Sequence, residues 1–134
     1  NYLEYNDSGI VIAKGKYVEG LEEGFWYYLY EGYREEGKYK EGRKEGTWKG
    51  IFDNGKTCFE GNFDDDEPSG RYVTFWPNGI VKEEGIYRKG LKQGDWKKYN
   101  ENGDMYLVIF FKDNVELKLN GVRIKPEETK NTSK

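Results

Sequence analysis

The sequence predicts an all-β protein, a single-layer elongated antiparallel meander of tandem β-hairpins with about twelve short strands. Three observations lead there. The 134 residues include 18 Gly but a single Ala, Ala13, and because Ala is the best helix former and Gly among the worst, helix is disfavoured throughout. Aromatic residues make up 17% of a chain whose hydrophobic content is only 35%, so Tyr, Trp and Phe must supply most of the surface that folding buries. Glycine and aromatic residues also recur together at a fixed period, the signature of a repeat architecture.

The period is read from Gly15, Gly37, Gly61 and Gly85, each followed two residues on by Tyr17, Tyr39, Phe63 or Tyr87. Five residues after each anchor stands Gly20, Gly42, Asp66 or Gly90; nine after it, Gly24, Gly46, Gly70 or Gly94; eleven after it, Trp26, Trp48, Tyr72 or Trp96. A later glycine closes each copy, at Gly32, Gly55, Gly79 or Gly103, and the first copy is shortened near Gly32. Only Gly50 and Gly121 fall off this lattice, which is incompatible with chance. Tyr2 to Gly9 aligns with Trp96 to Gly103, so the first residues read as the second half of a unit. Ile109, Phe111 and Asn114 stand at the lattice positions of a degenerate last copy.

Each unit reads as two strands, one ending on the Gly-x-aromatic step and the other beginning on the Gly-x-Trp step. Asn54-Gly55, Asn78-Gly79, Asn102-Gly103 and Asn120-Gly121 predict tight hairpin turns with positive φ. Counting by twos puts Thr57, Phe59, Gly61 and Phe63 on one face with Val81, Gly85, Tyr87 and with Val11, Ala13, Gly15, Tyr17. One face is therefore aromatic and the other polar. The anchor glycine shares the aromatic face and leaves room for a neighbouring Trp or Tyr to lie flat. At ~4.8 Å per strand the sheet extends roughly 50 to 60 Å.

One repeat domain is expected over residues 1–124, with about five repeats. Residues 105–124, richer in aliphatics than any internal copy, read as a C-terminal cap. Residues 125–134 carry no apolar side chain to bury and read as a flexible tail.

The unit Gly37-Lys38-Tyr39-x-x-Gly42-x-x-x-Gly46-x-Trp48, closing on Asn54-Gly55-Lys56, resembles the MORN repeat, in particular the bacterial variant often labelled an antitoxin component of toxin-antitoxin systems. The resemblance covers roughly residues 2–115 and implies a meander of β-hairpins used as a scaffold or interaction surface for proteins and, in some members, for membrane phospholipids.

Function is sought first in the aromatic residues. Tyr17, Trp26, Tyr39, Trp48, Phe63, Tyr72, Tyr87, Trp96 and Phe111 form a ladder at lattice positions, and the fold itself needs them as core. Tyr27, Tyr28, Tyr30, Tyr33 and Trp76 exceed what the repeat requires and are the candidate partner-binding residues. Asp64-Asp65-Asp66-Glu67 has calcium-loop charge without the ligand spacing, and reads as a solvated turn. Cys58, the only cysteine, is expected on the polar face, and with no His in the chain it has no base to activate it.

No nucleophile beside a base, paired carboxylates in a cleft or phosphate loop stands out, so no catalytic residue, cofactor or metal site is expected. Acids and bases are interspersed at a net charge of −3, which argues against nucleic acid. No stretch is long and apolar enough for a transmembrane span. The expectation is a non-enzymatic scaffold for protein–protein interaction through an elongated aromatic-rich β-surface. The alternatives are a carbohydrate- or cell-wall-binding module, since Gly24 to Tyr30 is similar to choline-binding repeats, and a phospholipid-binding module. Self-association through open sheet edges is a further expectation. Because the chain begins at Asn1 rather than Met, a secreted or envelope location is expected over a cytoplasmic one.

Overall fold

The computed structural model describes residues 1–120 and the backbone of 122–123. The expected tail, 125–134, lies outside the described residues. The strands run β1 (Tyr2–Tyr5), β2 (Val11–Val18), β3 (Leu21–Tyr30), β4 (Tyr33–Lys40), β5 (Arg43–Phe52) and β6 (Thr57–Asp64). They continue as β7 (Glu67–Phe75), β8 (Val81–Arg88), β9 (Leu91–Tyr99), β10 (Met105–Lys112), β11 (Val115–Leu119) and β12 (Val122–Arg123). Every strand pairs antiparallel with its sequence neighbours in one sheet ordered β1 to β12, and the described residues contain no helix.

The turns alternate between the two long sides of this ribbon, and three of the four Asn-Gly pairs occupy a kind that was not expected. The two-residue turns with φ positive at both positions, which match the right-handed strand twist, are Glu19-Gly20, Glu41-Gly42, Asp65-Asp66, Lys89-Gly90 and Asp113-Asn114. At Asn54-Gly55, Asn78-Gly79 and Asn102-Gly103 only the glycine turns left-handed, whereas Asn120, between β11 and β12, itself holds φ +49. At Asn78-Gly79 the Gly79 N–H donates to the Trp76 carbonyl and the Trp76 N–H to the Ile80 carbonyl, each at 2.8 Å. This is a type I turn closed by a left-handed glycine. The asparagines act through their side chains. Asn78 accepts from the Ile80 N–H at 3.0 Å and donates to the Glu101 carbonyl of the next unit at 2.9 Å, and Asn54 does the same toward Lys56 and Pro77.

The second strand of each unit starts earlier than predicted, at Leu21, Arg43, Glu67 and Leu91. Gly24, Gly46, Gly70 and Gly94 are therefore not turn residues. They lie inside the strands with φ between +71 and +81, at a bulge that gives β3 two more residues than β2 between the pairs Tyr17–Glu22 and Ala13–Tyr28. The bulge displaces the next aromatic residue along the strand so that it covers the anchor glycine.

That covering is the core of the protein. A Cβ on Gly15, Gly37, Gly61 or Gly85 would overlap the ring of Trp26, Trp48, Tyr72 or Trp96 respectively. The three indole N–H groups donate to the carbonyls of Lys16, Lys38 and Ile86 at 3.1, 3.0 and 3.2 Å, so burial leaves no donor unpaired. Trp26, Trp48 and Trp96 are 1%, 0% and 2% exposed, and each fully buried aromatic of this size is worth several kcal/mol, about 3–5 on truncation to Ala. Gly50, off the sequence lattice, is covered in the same way by Phe59. Ile109 and Phe111, from the expected cap, pack with Trp96.

Candidate functional site: the aromatic face

Rings on one side of the sheet touch in long series. From the β1 end, Tyr2, Tyr17, Trp26 and Tyr39 meet edge-on or tilted with centroids 5.0 to 6.1 Å apart, and Tyr39 meets Trp48 at 5.1 Å. Beyond it, Tyr72, Tyr87, Trp96 and Phe111 form a second series at 5.0 to 6.4 Å. Edge-to-face contacts of this kind suit the ring quadrupole.

A residue outside the ladder completes this packing. Lys44 lies with its Nζ 4.6 Å over Trp48 and 5.1 Å over Phe63, and Lys92, in the same place two units later, lies 4.8 Å over Trp96 and 5.0 Å over Phe111. Lys44 also pairs with Glu35 at 3.4 Å. The chain thus covers its own rings with its own cations. The positions 44, 68 and 92 recur every 24 residues, so the sequence carried the signal, but Pro68 interrupts it and Glu22 replaces it in the first unit.

Of the five candidate partner-binding residues, the structure brings three together. Tyr28 and Tyr30 stack at 6.4 Å, and Tyr30 and Tyr33 at 5.0 Å with rings 25° apart. Tyr30 is 45% exposed. The Tyr28 hydroxyl lies 3.3 Å from that of Tyr39. Burial, then this hydrogen bond, then the nearby Glu22 carboxylate hold Tyr28 protonated well above the ordinary tyrosine range. Tyr27 points to the opposite face, into a hollow of about 810 Å³ with Leu3, Lys14 and Phe25. Trp76 stands apart at the β7–β8 turn, donating to the Tyr99 carbonyl at 3.0 Å beneath the Lys82 ammonium, 4.8 Å away.

The stack exists because the first unit is short. The β5–β6, β7–β8 and β9–β10 pairings each slip by one residue next to the turn, and such a slip exchanges the faces of all residues beyond it. Thr57 and Val81, expected on the aromatic face, therefore pair with Ile51 and Phe75 on the other side. Cys58 is turned the opposite way. Its Sγ lies beside Gly50, in a groove of about 470 Å³ between Tyr33 and Tyr72, and burial raises its pKa, which keeps the thiol unreactive. Between β3 and β4 the turn has two residues and the register is unbroken, Tyr30 opposite Tyr33, so both tyrosines stay on the aromatic face.

The acidic run 64–67 makes the β6–β7 turn. Asp65 takes an ion pair from Arg43 at 3.0 Å and Asp66 accepts from the Lys44 N–H at 3.0 Å, contacts that tie one unit to the previous one. No helix among the described residues is long and apolar enough to cross a membrane. No curated protein matches the chain. The family model for the MORN repeat variant matches three tandem segments, residues 44–65, 68–89 and 92–113. Each begins one residue into the second strand of a unit and ends at the first residue of the next two-residue turn, in phase with the lattice of glycine and aromatic residues. Such repeats serve as binding modules for proteins or membranes, and on these three matched units the chain is a MORN-repeat protein.

Proposed function

We propose that the protein is a non-enzymatic scaffold that binds a protein partner on the aromatic face, at the β2–β4 end. The observation that carries this reading is the Tyr28–Tyr30–Tyr33 stack, which exceeds what the lattice needs and presents the exposed Tyr30 ring between two half-buried tyrosines, beside the exposed ring of Tyr17. Tyrosine suits such a role, since it offers a large rigid surface with a polar tip. Tyr27 and Trp76 lie outside this surface and are assigned no part in it.

The test is affinity capture by the wild-type protein and by a Tyr30→Ala/Tyr33→Ala variant whose fold is checked by circular dichroism. Retention of one protein by the wild type and its loss from the folded variant supports the reading. Equal retention by both contradicts it, and retention of glycan or phospholipid alone transfers the surface to the carbohydrate or lipid class.

A further inference from the structure

Of the four full units, the second and fourth carry the covering lysine, the third has Pro68 in its place, and the first alone replaces it with an opposite charge, Glu22. Trp96 sits between Tyr87 and Phe111 at 5.0 and 6.4 Å, with ring angles of 76° and 85°. Trp26 sits between Tyr17 and Tyr39 at 5.0 and 6.1 Å, with angles of 72° and 89°. The two flanking pairs are arranged alike, and the Trp26 frame adds Tyr2, tilted, and Tyr28, stacked, each at 5.8 Å. In the Trp96 frame the ammonium of Lys92 lies over the rings, and in the Trp48 frame that of Lys44 does so. In the Trp26 frame the same position holds Glu22, directly opposite Tyr17.

Glu22 is half-buried, with its Oε1 near the Glu41-Gly42 turn. It has no ion-pair partner among the described residues, whereas Glu35 and Glu83 on the same face pair with Lys44 and Lys98. Tyr17 is 45% exposed. Trp26 itself is covered, so the groups offered outward are the Glu22 carboxylate, the Tyr17 ring and the neighbouring tyrosine stack.

We propose that this place takes a lysine or arginine side chain from a basic segment of the partner, which supplies from outside the cation that units two and four supply from within. The proposal rests on the reading of the aromatic face as a protein-binding surface. A cation there gains an unpaired carboxylate and the face of an aromatic ring together. The net charge of −3 attracts basic segments and repels anionic bilayers, which favours a peptide over a lipid surface.

The experiment follows amide and side-chain NMR shifts at low salt while adding acetylated, amidated pentapeptides Gly-Ala-X-Ala-Gly, with X as Arg, Lys or Glu. The Arg and Lys peptides should shift Glu22, Tyr17 and Tyr39, and the Glu peptide should not. Glu22→Lys, which copies the arrangement at Lys44 and Lys92, should weaken the Arg peptide about tenfold, and Glu22→Gln less; should the lysine variant misfold, the glutamine variant alone decides. Raising salt should weaken binding too, because the pair is partly exposed.

No shifts at ~10 mM peptide, where even a millimolar complex is mostly formed, would overturn the proposal, as would shifts that neither Glu22 variant changes. Binding to phosphatidylcholine vesicles without peptide binding would overturn the peptide assignment. Because Glu22→Lys leaves Tyr30 and Tyr33 intact, partner capture that survives it but not their removal refutes the cation site alone.

Discussion

The β2–β4 end and the β8–β10 end of the sheet are built on the same lattice and present different surfaces. In both, a tryptophan lies flat on a glycine, donates its indole N–H to a carbonyl of the preceding strand and is flanked edge-on by two aromatic rings. At the β8–β10 end the chain then closes the site with Lys92 and breaks the register beside the turn. At the β2–β4 end it places Glu22 where the lysine would be and keeps the register across a two-residue turn, so Tyr30 and Tyr33 remain stacked on the aromatic face with Tyr30 exposed. A repeat can thus hold its core constant and change the surface it presents by reversing one charge and removing two residues of loop.

The largest expected effects break what both ends share. Gly37→Val and Gly85→Val force a side chain into the Trp48 and Trp96 rings and should destabilise by about 3 kcal/mol or more, read as a lowered denaturant midpoint. Gly15→Val, beside the edge strand β1, should cost less, because that end of the sheet can yield.

Inserting Asn-Gly after Glu31, to give the β3–β4 turn the length of the β5–β6 turn, should change stability by no more than about 1 kcal/mol. It should move Tyr33 off the aromatic face, however, and near-ultraviolet circular dichroism should report the loss of the Tyr30–Tyr33 coupling. Unchanged tyrosine signals would separate the stack from loop length.

Alkaline pH probes the partly buried tyrosines of β3 and β7. Burial pushes Tyr72 up to about 12 and holds Tyr28 still higher than a free tyrosine. These folded-state pKa values exceed the unfolded value near 10, so their contribution is complete below pH 10 and is lost as pH rises through the folded values. Absorbance at 295 nm should show tyrosines titrating late, together with unfolding. Tyr72→Phe should flatten that alkaline loss.

A smaller effect belongs to the two-residue turns, where Lys89 holds φ +51, a conformation costly for a residue with a Cβ. Lys89→Gly should stabilise by about 1 kcal/mol, measured as a raised melting temperature.

Much of this architecture was legible in the sequence, because a lattice of glycine and aromatic residues at a 24-residue step has one economical meaning: small residues under flat rings. Face assignment failed at Thr57, Val81 and Cys58, since counting by twos cannot see a bulge, and a bulge exchanges faces. Asn54-Gly55, Asn78-Gly79 and Asn102-Gly103 misled for a related reason. Their dipeptide suits the tight two-residue turn, but here Asn works through its side-chain amide, while the tight turns are made by Glu41-Gly42, Asp65-Asp66 and Lys89-Gly90. Of the five surplus aromatics, Tyr28, Tyr30 and Tyr33 come together in one stack, yet nothing in one-dimensional spacing places Tyr27 behind the sheet or ties Trp76 to the next turn. Glu22 escaped notice because its meaning lies in the contrast with Lys44 and Lys92, which appears only once their ammonium groups are seen over the rings.

The most direct test of that contrast is the thermal stability of Glu22→Lys and Lys92→Glu measured side by side. Closing the open frame with a lysine should raise the melting temperature, and opening the closed frame with a glutamate should lower it, each by a few degrees for about 1 kcal/mol. If both substitutions shift it in the same direction, residue 22 is not the counterpart of residue 92, and the account of an open and a closed frame on one lattice fails.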